Sequence, residues 1–431
     1  MKKNPLLPIF LIVLVDILGL TIILPLLPFY AESFGASPQV IGFLVATYAA
    51  CQLVAGPILG QMSDKTGRKP LLIVSQAGTF VGFLILASAG SLWLVFLSRI
   101  IDGLTAGNLT LAQAYISDVT PPEKRAASFG VIGIAFGVGF LLGPALSGYM
   151  SQFGYSVPIL IAAGLSFTSI MATTFLLPGA KEAEQLRIAA EAASDPAAAS
   201  NAPPPPAGRR LGLLDWGAYV EYFRRPGLAR LLFQFFLFAF SFAMFTSGFA
   251  LFAERRFTWH GKAFGTREVG FVFAYVGFLG ILLQGGAIRP LVKRFGEAAL
   301  VLVSFLFVSV SYVALGAAHT IPLLLIAATL ASLGNGMIRP AVTSLITRAV
   351  GRHEQGAVLG LTQSLMSVGQ IIAPIIGTGL IQHSVSRHVE HPPPADVDPP
   401  EFLLFWALAA AVPMAIGLIS SLLPAPATRT A

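Results

Sequence analysis

Charge is scarce in this chain. Only 11% of its 431 residues are Asp, Glu, Lys or Arg, 55% are hydrophobic and the mean hydropathy is +0.78. An ordinary soluble domain is about 25% charged, so a water-soluble fold is excluded. Cysteine is nearly absent as well. The single Cys51 lies in an apolar run and supports neither a disulfide framework nor a cysteine-rich metal site. His383, His388 and His391 share a loop without a fixed scaffold, so no metal or other cofactor is expected. No Walker loop precedes a helix, and there is no Gly-x-Ser-x-Gly elbow or zinc-protease helix. ATP is therefore not the energy source, and nothing supports a membrane enzyme. The net charge of +7 would suit nucleic acid only if the basic residues clustered on one exposed face. They follow the apolar segments instead.

What the chain has in abundance is apolar sequence of membrane-spanning length. Such segments fall near 6–29, 38–60, 71–90, 92–116, 127–150 and 156–177, then near 228–252, 267–288, 298–317, 321–343, 355–381 and 401–423. At about 1.5 Å per residue each can cross about 30 Å of hydrocarbon. The expectation is an all-α membrane protein of twelve transmembrane helices in two pseudo-symmetric six-helix bundles, 1–180 and 228–431, joined by a cytoplasmic linker, 181–227. The linker differs in character, with an alanine-rich run at 188–200, four prolines at 203–206 and Arg209-Arg210. Its end, 211–223 with Trp216, Tyr219 and Phe223, is predicted to form a short amphipathic helix on the membrane surface. The N-terminal Met1-Lys2-Lys3 before an apolar run is like a signal peptide, but the run continues through Phe29 with Asp16 inside it and reads as a retained first span.

Basic residues set the orientation. With the N-terminus inside, Lys2, Lys3, Lys65, Arg68, Lys69, Lys124, Arg125, the six linker residues Lys181, Arg187, Arg209, Arg210, Arg224 and Arg225, and Lys293, Arg294, Arg348, Arg352 and Arg429 are cytoplasmic. Only Arg255, Arg256, Lys262, Arg267 and Arg387 are outside. The positive-inside rule then puts both termini in the cytoplasm. The halves repeat weakly: Gly130, Gly139 and Pro144 recur 230 positions on as Gly360, Gly369 and Pro374, and Gly67 recurs 229 positions on as Gly296.

The most informative run is Gly60-Gln-Met-Ser-Asp64-Lys-Thr-Gly67-Arg68-Lys69-Pro70, a charged turn between two apolar helices. A loop this short makes the helices antiparallel neighbours, its glycines permit close turning, and Asp64 can pair with a cation or a helix N-terminus. The run resembles motif A of the major facilitator superfamily. Asp16 lies about ten residues into the first span, near the bilayer midplane, where an ionised carboxylate costs about 2.5–3.5 kcal/mol. It must face a polar cavity, find a partner or take up a proton; a buried structural aspartate is the plainer alternative. The sequence from Asp16 through Pro28 resembles the first span of the superfamily's drug:proton antiporters. Arg99 and Asp102 in span 4 are three apart on one face and can form an intrahelical ion pair. Their surroundings, Leu97 to Gly107, resemble motif B, whose arginine is implicated in proton transfer, with Asp102 where glutamine is often found. The resemblance thus implies proton coupling through Asp16, Arg99 and Asp102.

Span 5 contains Gly139, Gly143, Pro144 and Gly148 at helical spacing, a pattern that flattens one face for close packing. It resembles motif C, associated with antiporters, although Ser147 replaces a glycine. Gly60, Asp64, Gly67, Arg68, Asp118, Arg125, Gly139, Gly143 and Pro144 are the candidates for conformational gating. Asp118, which ends span 4 before two prolines, is expected to pair with cytoplasmic Lys or Arg. Gln52, Asn108, Gln113, Gln234, Tyr275, Asn335 and Gln363 are candidates to line a substrate path. Arg339 either lines it or snorkels to the cytoplasmic surface. The phenylalanines of span 7, from Phe233 to Phe252, are expected for the most part to face lipid.

The resemblance implies a secondary active transporter similar to the tetracycline and multidrug branch. It would export small amphipathic molecules against protons by alternating access, as a monomer in a bacterial inner membrane. A proton symporter or facilitator for a polar solute, and a non-transporting receptor or scaffold, stand as alternatives.

Overall fold

The computed structural model describes residues 6–120, 125–179, 216–351, 354–390 and 401–423. The first half is built from α1 (Leu6–Glu32), α2 (Pro38–Thr66), α3 (Arg68–Ala87), α4 (Leu92–Leu104), α5 (Asn108–Val119), α6 (Arg125–Met150) and α7 (Ser156–Leu176). A short helix, α8 (Trp216–Arg224), precedes the second half. There follow α9 (Pro226–Arg256), α10 (Thr266–Leu282), α11 (Ile288–Gly316), α12 (Ile321–Arg348), α13 (Gln355–Glu390) and α14 (Glu401–Leu422). A two-residue hairpin, Thr258–Trp259 with Lys262–Ala263, links α9 and α10 through a turn at His260 and Gly261, both at positive φ. The amphipathic helix expected at the end of the linker is α8. Its Tyr222 is buried, and Arg225 beyond it grips Glu354 through two nitrogens at 3.0 and 2.9 Å, so this helix is tied to the second half. Residues 181–215 of the linker lie outside the described residues.

Among the described residues, eleven helices are long and apolar enough to cross a membrane. One of them, Thr266–Gly316, is 51 residues long, more than twice what a single crossing of about 30 Å needs at about 1.5 Å per residue. Its path breaks at Gly296, with φ 78° and ψ 161°, at the end of the run Lys293-Arg294-Phe295-Gly296. Gly67, the residue between α2 and α3, has φ 94° and ψ 154°. The two glycines paired by the sequence repeat therefore make the same left-handed turn, one that a side chain would strain. This helix is therefore long enough for two of the crossings expected from the sequence, joined at Gly296.

Span 7 departs from expectation. Phe235, Phe238, Phe245, Phe249 and Phe252 of α9 are buried, and Phe233 is the large exposed phenylalanine of this helix. Trp406 of α14 stacks on Phe252 with centroids 4.9 Å apart, while Phe245 stacks on Tyr312 of α11 at 5.4 Å. The rings form the core of the second half.

Among the described residues, the close backbone approaches between the halves lie toward one end of the bundle. A side chain at Gly42 of α2 would strike Thr378 and Pro374 of α13, and one at Gly270 or Gly277 of α10 would strike the α6 backbone at Pro144 or Phe140. Glu32, at the end of α1, pairs with Arg255 of α9 at 2.6 Å, and Arg255 also holds Glu254 at 2.8 Å. Burial beside these two carboxylates pushes the Tyr155 phenol up from its ordinary value. At the other end, on the same four spans, a side chain at Gly56, Gly60, Gly133, Gly285, Gly286 or Gly360 would meet nothing. Among the described residues, the halves pack closely at the Glu32 end and stand apart at these glycines of the Asp64 end.

Candidate functional site

Arg68 is the hub of the charged turn. Its Nη1 lies 2.6 Å from Asp64 Oδ1, its Nε donates to Asp118 Oδ2 at 2.9 Å, and Ser63 accepts from it at 2.5 Å. Lys69 donates to the carbonyls of Thr174 and Leu177, both at 2.8 Å, and so caps the end of α7. Partly exposed ion pairs contribute only about 0–1 kcal/mol each, but these fasten the ends of four helices to one another. Asp118 thus finds the cationic partner expected for it. The side chain of Arg125 lies outside the described residues.

The repeat that pairs Gly67 with Gly296 extends to this cluster. Asp64, Arg68 and Asp118 correspond to Lys293, Glu297 and Arg348, offsets of 229, 229 and 230. Every sign is reversed. Glu297 lies 2.6 Å from Arg348 and accepts from Ser344 at 3.3 Å, rebuilding the Arg68–Asp118 link with opposite polarity.

Deeper in the first half, the fourth span is not continuous. It breaks at Thr105–Gly107, between α4 and α5. The Ser75 hydroxyl of α3 donates to the Thr105 carbonyl, and the Gly107 N–H donates to Ser75 Oγ at 2.9 Å, so one side chain satisfies both lips of the break. Gly78, one turn on, lets α3 come close, since any Cβ there would strike Thr105. Ser75→Ala should cost about 1–3 kcal/mol by stranding buried backbone groups. Thermal unfolding of the purified protein reads this directly, and an unchanged midpoint would show that the break stands without its peg.

The break places Asn108 at the start of α5, where its amide donates to Asp16 Oδ1 at 2.5 Å. Asn108 is 6% exposed, and its own side-chain oxygen has no partner among the described residues. On α4, Arg99 and Asp102 form the expected pair at 3.4 Å, both buried. Thr79 stands beside Asp102, and Asp16 is near enough for the two carboxylates to repel. The three residues expected to couple protons are therefore gathered about one break. Gly139 and Gly143 of α6 back this group: side chains there would run into Ile17 and Thr21 of α1, and Thr21 donates to the Gly139 carbonyl at 2.9 Å. Pro144 contributes its carbonyl to the close approach of Gly270.

The polar residues expected along a path divide. Gln52 faces Tyr48 at 3.4 Å, Tyr275 bonds Thr329 at 2.8 Å, Asn335 is half-buried, and Gln113 and Gln363 are exposed. Gln234 does not belong with them. It is 2% exposed and donates to Ser420 and Ser421 of α14 at 3.3 and 3.1 Å, a structural bond inside the second half. Sequence could not foretell this, because an amide in an apolar helix reads alike whether it faces a path or another helix.

Two helical bundles related by an internal repeat, meeting about polar groups set deep in apolar spans, define a multi-pass membrane transporter. The sequence matches the Major Facilitator Superfamily over residues 9–289 and 287–430, and the chain belongs to it. Among curated relatives, the class B tetracycline resistance protein of Escherichia coli is 28% identical over 384 residues, covering 87% of this chain and 88% of that one. The quinolone resistance protein NorA of Staphylococcus aureus (strain MRSA252) is 24% identical over 376 residues, covering 87% and 88%. Among solved structures, the nucleoside transporter NupG aligns with a TM-score of 0.70 at 15% identity, over 98% of this chain and 100% of that one. As a member of this superfamily the chain is a membrane transporter and not an enzyme.

Proposed function

We propose that this chain is a proton-coupled antiporter that exports small amphipathic molecules by alternating access. The observation carrying this reading is the Asp16 carboxylate, set deep in a span with the Asn108 amide as its hydrogen-bond partner and backed by the glycine face of α6. A carboxylate at that depth is costly when charged and can take up a proton without leaving the site. The Asp64 end is the cytoplasmic one, by the excess of Lys and Arg there, in a bacterial cell membrane like that of the tetracycline resistance relatives. The state described is then open to the cytoplasm, ready to load. Residues 1–180 and 228–431 rock as two bodies, with the Glu32–Arg255 pair, which joins them, as the contact that parts.

The test is flux in proteoliposomes with an imposed pH gradient and pyranine trapped inside, using tetracycline, norfloxacin, fluorescein and rhodamine 6G as probes. Antiport is expected to move at least one probe against the direction of protons, and to stop when the gradient is collapsed. Movement in step with protons would make the chain a symporter, and movement indifferent to the gradient a facilitator. Either outcome rejects the reading.

A further inference from the structure

Arg339 stands apart from the arginines described above. Arg99 has Asp102, Arg68 has Asp64 and Asp118, and Arg255 has Glu32. Arg339 has neither an ion pair nor a hydrogen bond among the described residues. Its recorded contact is the ring of Phe136, 5.5 Å from the guanidinium carbon. Phe136 is on α6, in the opposite half. The side chain therefore reaches across the space between the halves and does not run along α12 to the surface, which settles the choice between lining the path and snorkelling.

Its surroundings make this a cavity wall. Arg339 is exposed while its guanidinium faces a ring of the opposite half, so it borders space between the halves that a solute can reach. Arg339 lies nine residues before the end of α12 at Arg348, about 13 Å at about 1.5 Å per residue. It follows Leu109 by 230 positions, so it occupies in the second half the level that the Asp16–Asn108 pair occupies in the first. Next to it span 8 leaves regular geometry in a π-helical turn, Leu283–Ala287. Leu283 packs on Gly336, where a Cβ would come within 2.6 Å of it, and Gln284 of the same turn is exposed. Such turns recur at functional sites because they re-aim side chains. Phe140 continues the aromatic wall, stacked on Phe136 with centroids 6.5 Å apart.

We propose that Arg339 is the substrate-recognition cation of the path and that the path takes organic anions, an acidic group against the guanidinium and an apolar or aromatic body along Phe136. A charge held at this depth without a protein partner is expensive, and a solute carboxylate or sulfonate supplies the missing partner in the planar, two-pronged geometry that guanidinium favours. The anion and the proton need not compete for one group, because Asp16 is on the first half and Arg339 on the second. The proposal rests on the transporter reading above and names its substrate class.

The full chain, purified in dodecyl maltoside without added lipid, is titrated with fluorescein and naphthalene-2-sulfonate as anions and with rhodamine 6G as a cation of similar shape to fluorescein, read by anisotropy and by thermal unfolding. Binding of an anion and not of rhodamine 6G is expected, weakened about 10- to 100-fold by Arg339→Gln and partly regained in Arg339→Lys. Preference for rhodamine 6G, binding by neither anion, or anion binding unchanged in Arg339→Gln overturns the proposal. Displacement of fluorescein by an equal concentration of phosphatidylglycerol assigns the site to a lipid headgroup and overturns it too. The flux experiment fails separately: Arg339-dependent binding without proton-opposed flux rejects antiport and leaves the anion site standing.

Discussion

Asp16→Asn is expected to abolish gradient-driven accumulation while leaving the protein folded. The asparagine keeps a side-chain oxygen where the Asn108 amide donates, so the contact across the break in span 4 survives. It removes the one thing an amide cannot do, which is to bind and release a proton. For each proton exchanged, one pH unit is worth about 1.4 kcal/mol, or about tenfold in substrate accumulation. That factor should fall to one in the variant, with downhill exchange retained. Accumulation and counterflow in the same proteoliposomes separate the two quantities. Full accumulation by Asp16→Asn would shift the role to Asp102, whose own amide variant then becomes the decisive measurement, since neighbouring carboxylates titrate as a pair.

An alanine at Gly143 should do nearly as much damage by a different route. A Cβ there would strike the Thr21 hydroxyl and come within 2.8 Å of Thr21 Cβ and 3.1 Å of its backbone carbon. Backbone cannot swing aside as a flexible side-chain tip can, so α1 and α6 must separate, at about 1–3 kcal/mol or more. The separation opens the packing directly behind Ile17 and Asp16. We expect a lower unfolding midpoint and a substrate-free proton leak in Gly143→Ala. Gly133→Ala, on the same helix where a Cβ meets nothing, should show neither. Tight coupling in Gly143→Ala would mean that the glycine face is not what keeps protons from crossing alone.

Much of this was legible in the sequence because charge in an apolar span has few possible meanings. Asp16, the Arg99–Asp102 spacing and the Asp64–Arg68 turn stood out against their surroundings, and the structure joins them as pairs or neighbours. The break in span 4 was hidden because its cause lies on another helix: Ser75 is an ordinary serine until it meets Thr105 and Gly107. The burial of span 7 was hidden for a solvent reason. Lipid is as apolar as a protein core, so a phenylalanine that faces one cannot be told by composition from a phenylalanine that faces the other. Arg339 was ambiguous because depth along a helix says nothing about direction around it. Its ring partner on the opposite half supplies the direction.

The sign reversal between Asp64–Arg68–Asp118 and Lys293–Glu297–Arg348 shows what the repeat preserves. Each half keeps a charged link between helix ends, while the partner that carries the positive charge changes. A residue moved alone from one triad into the other would set like charges together: Arg68→Glu would face Asp64 and Asp118, and Glu297→Arg would face Arg348. Polarity at such a link can therefore change only when both of its ends change together.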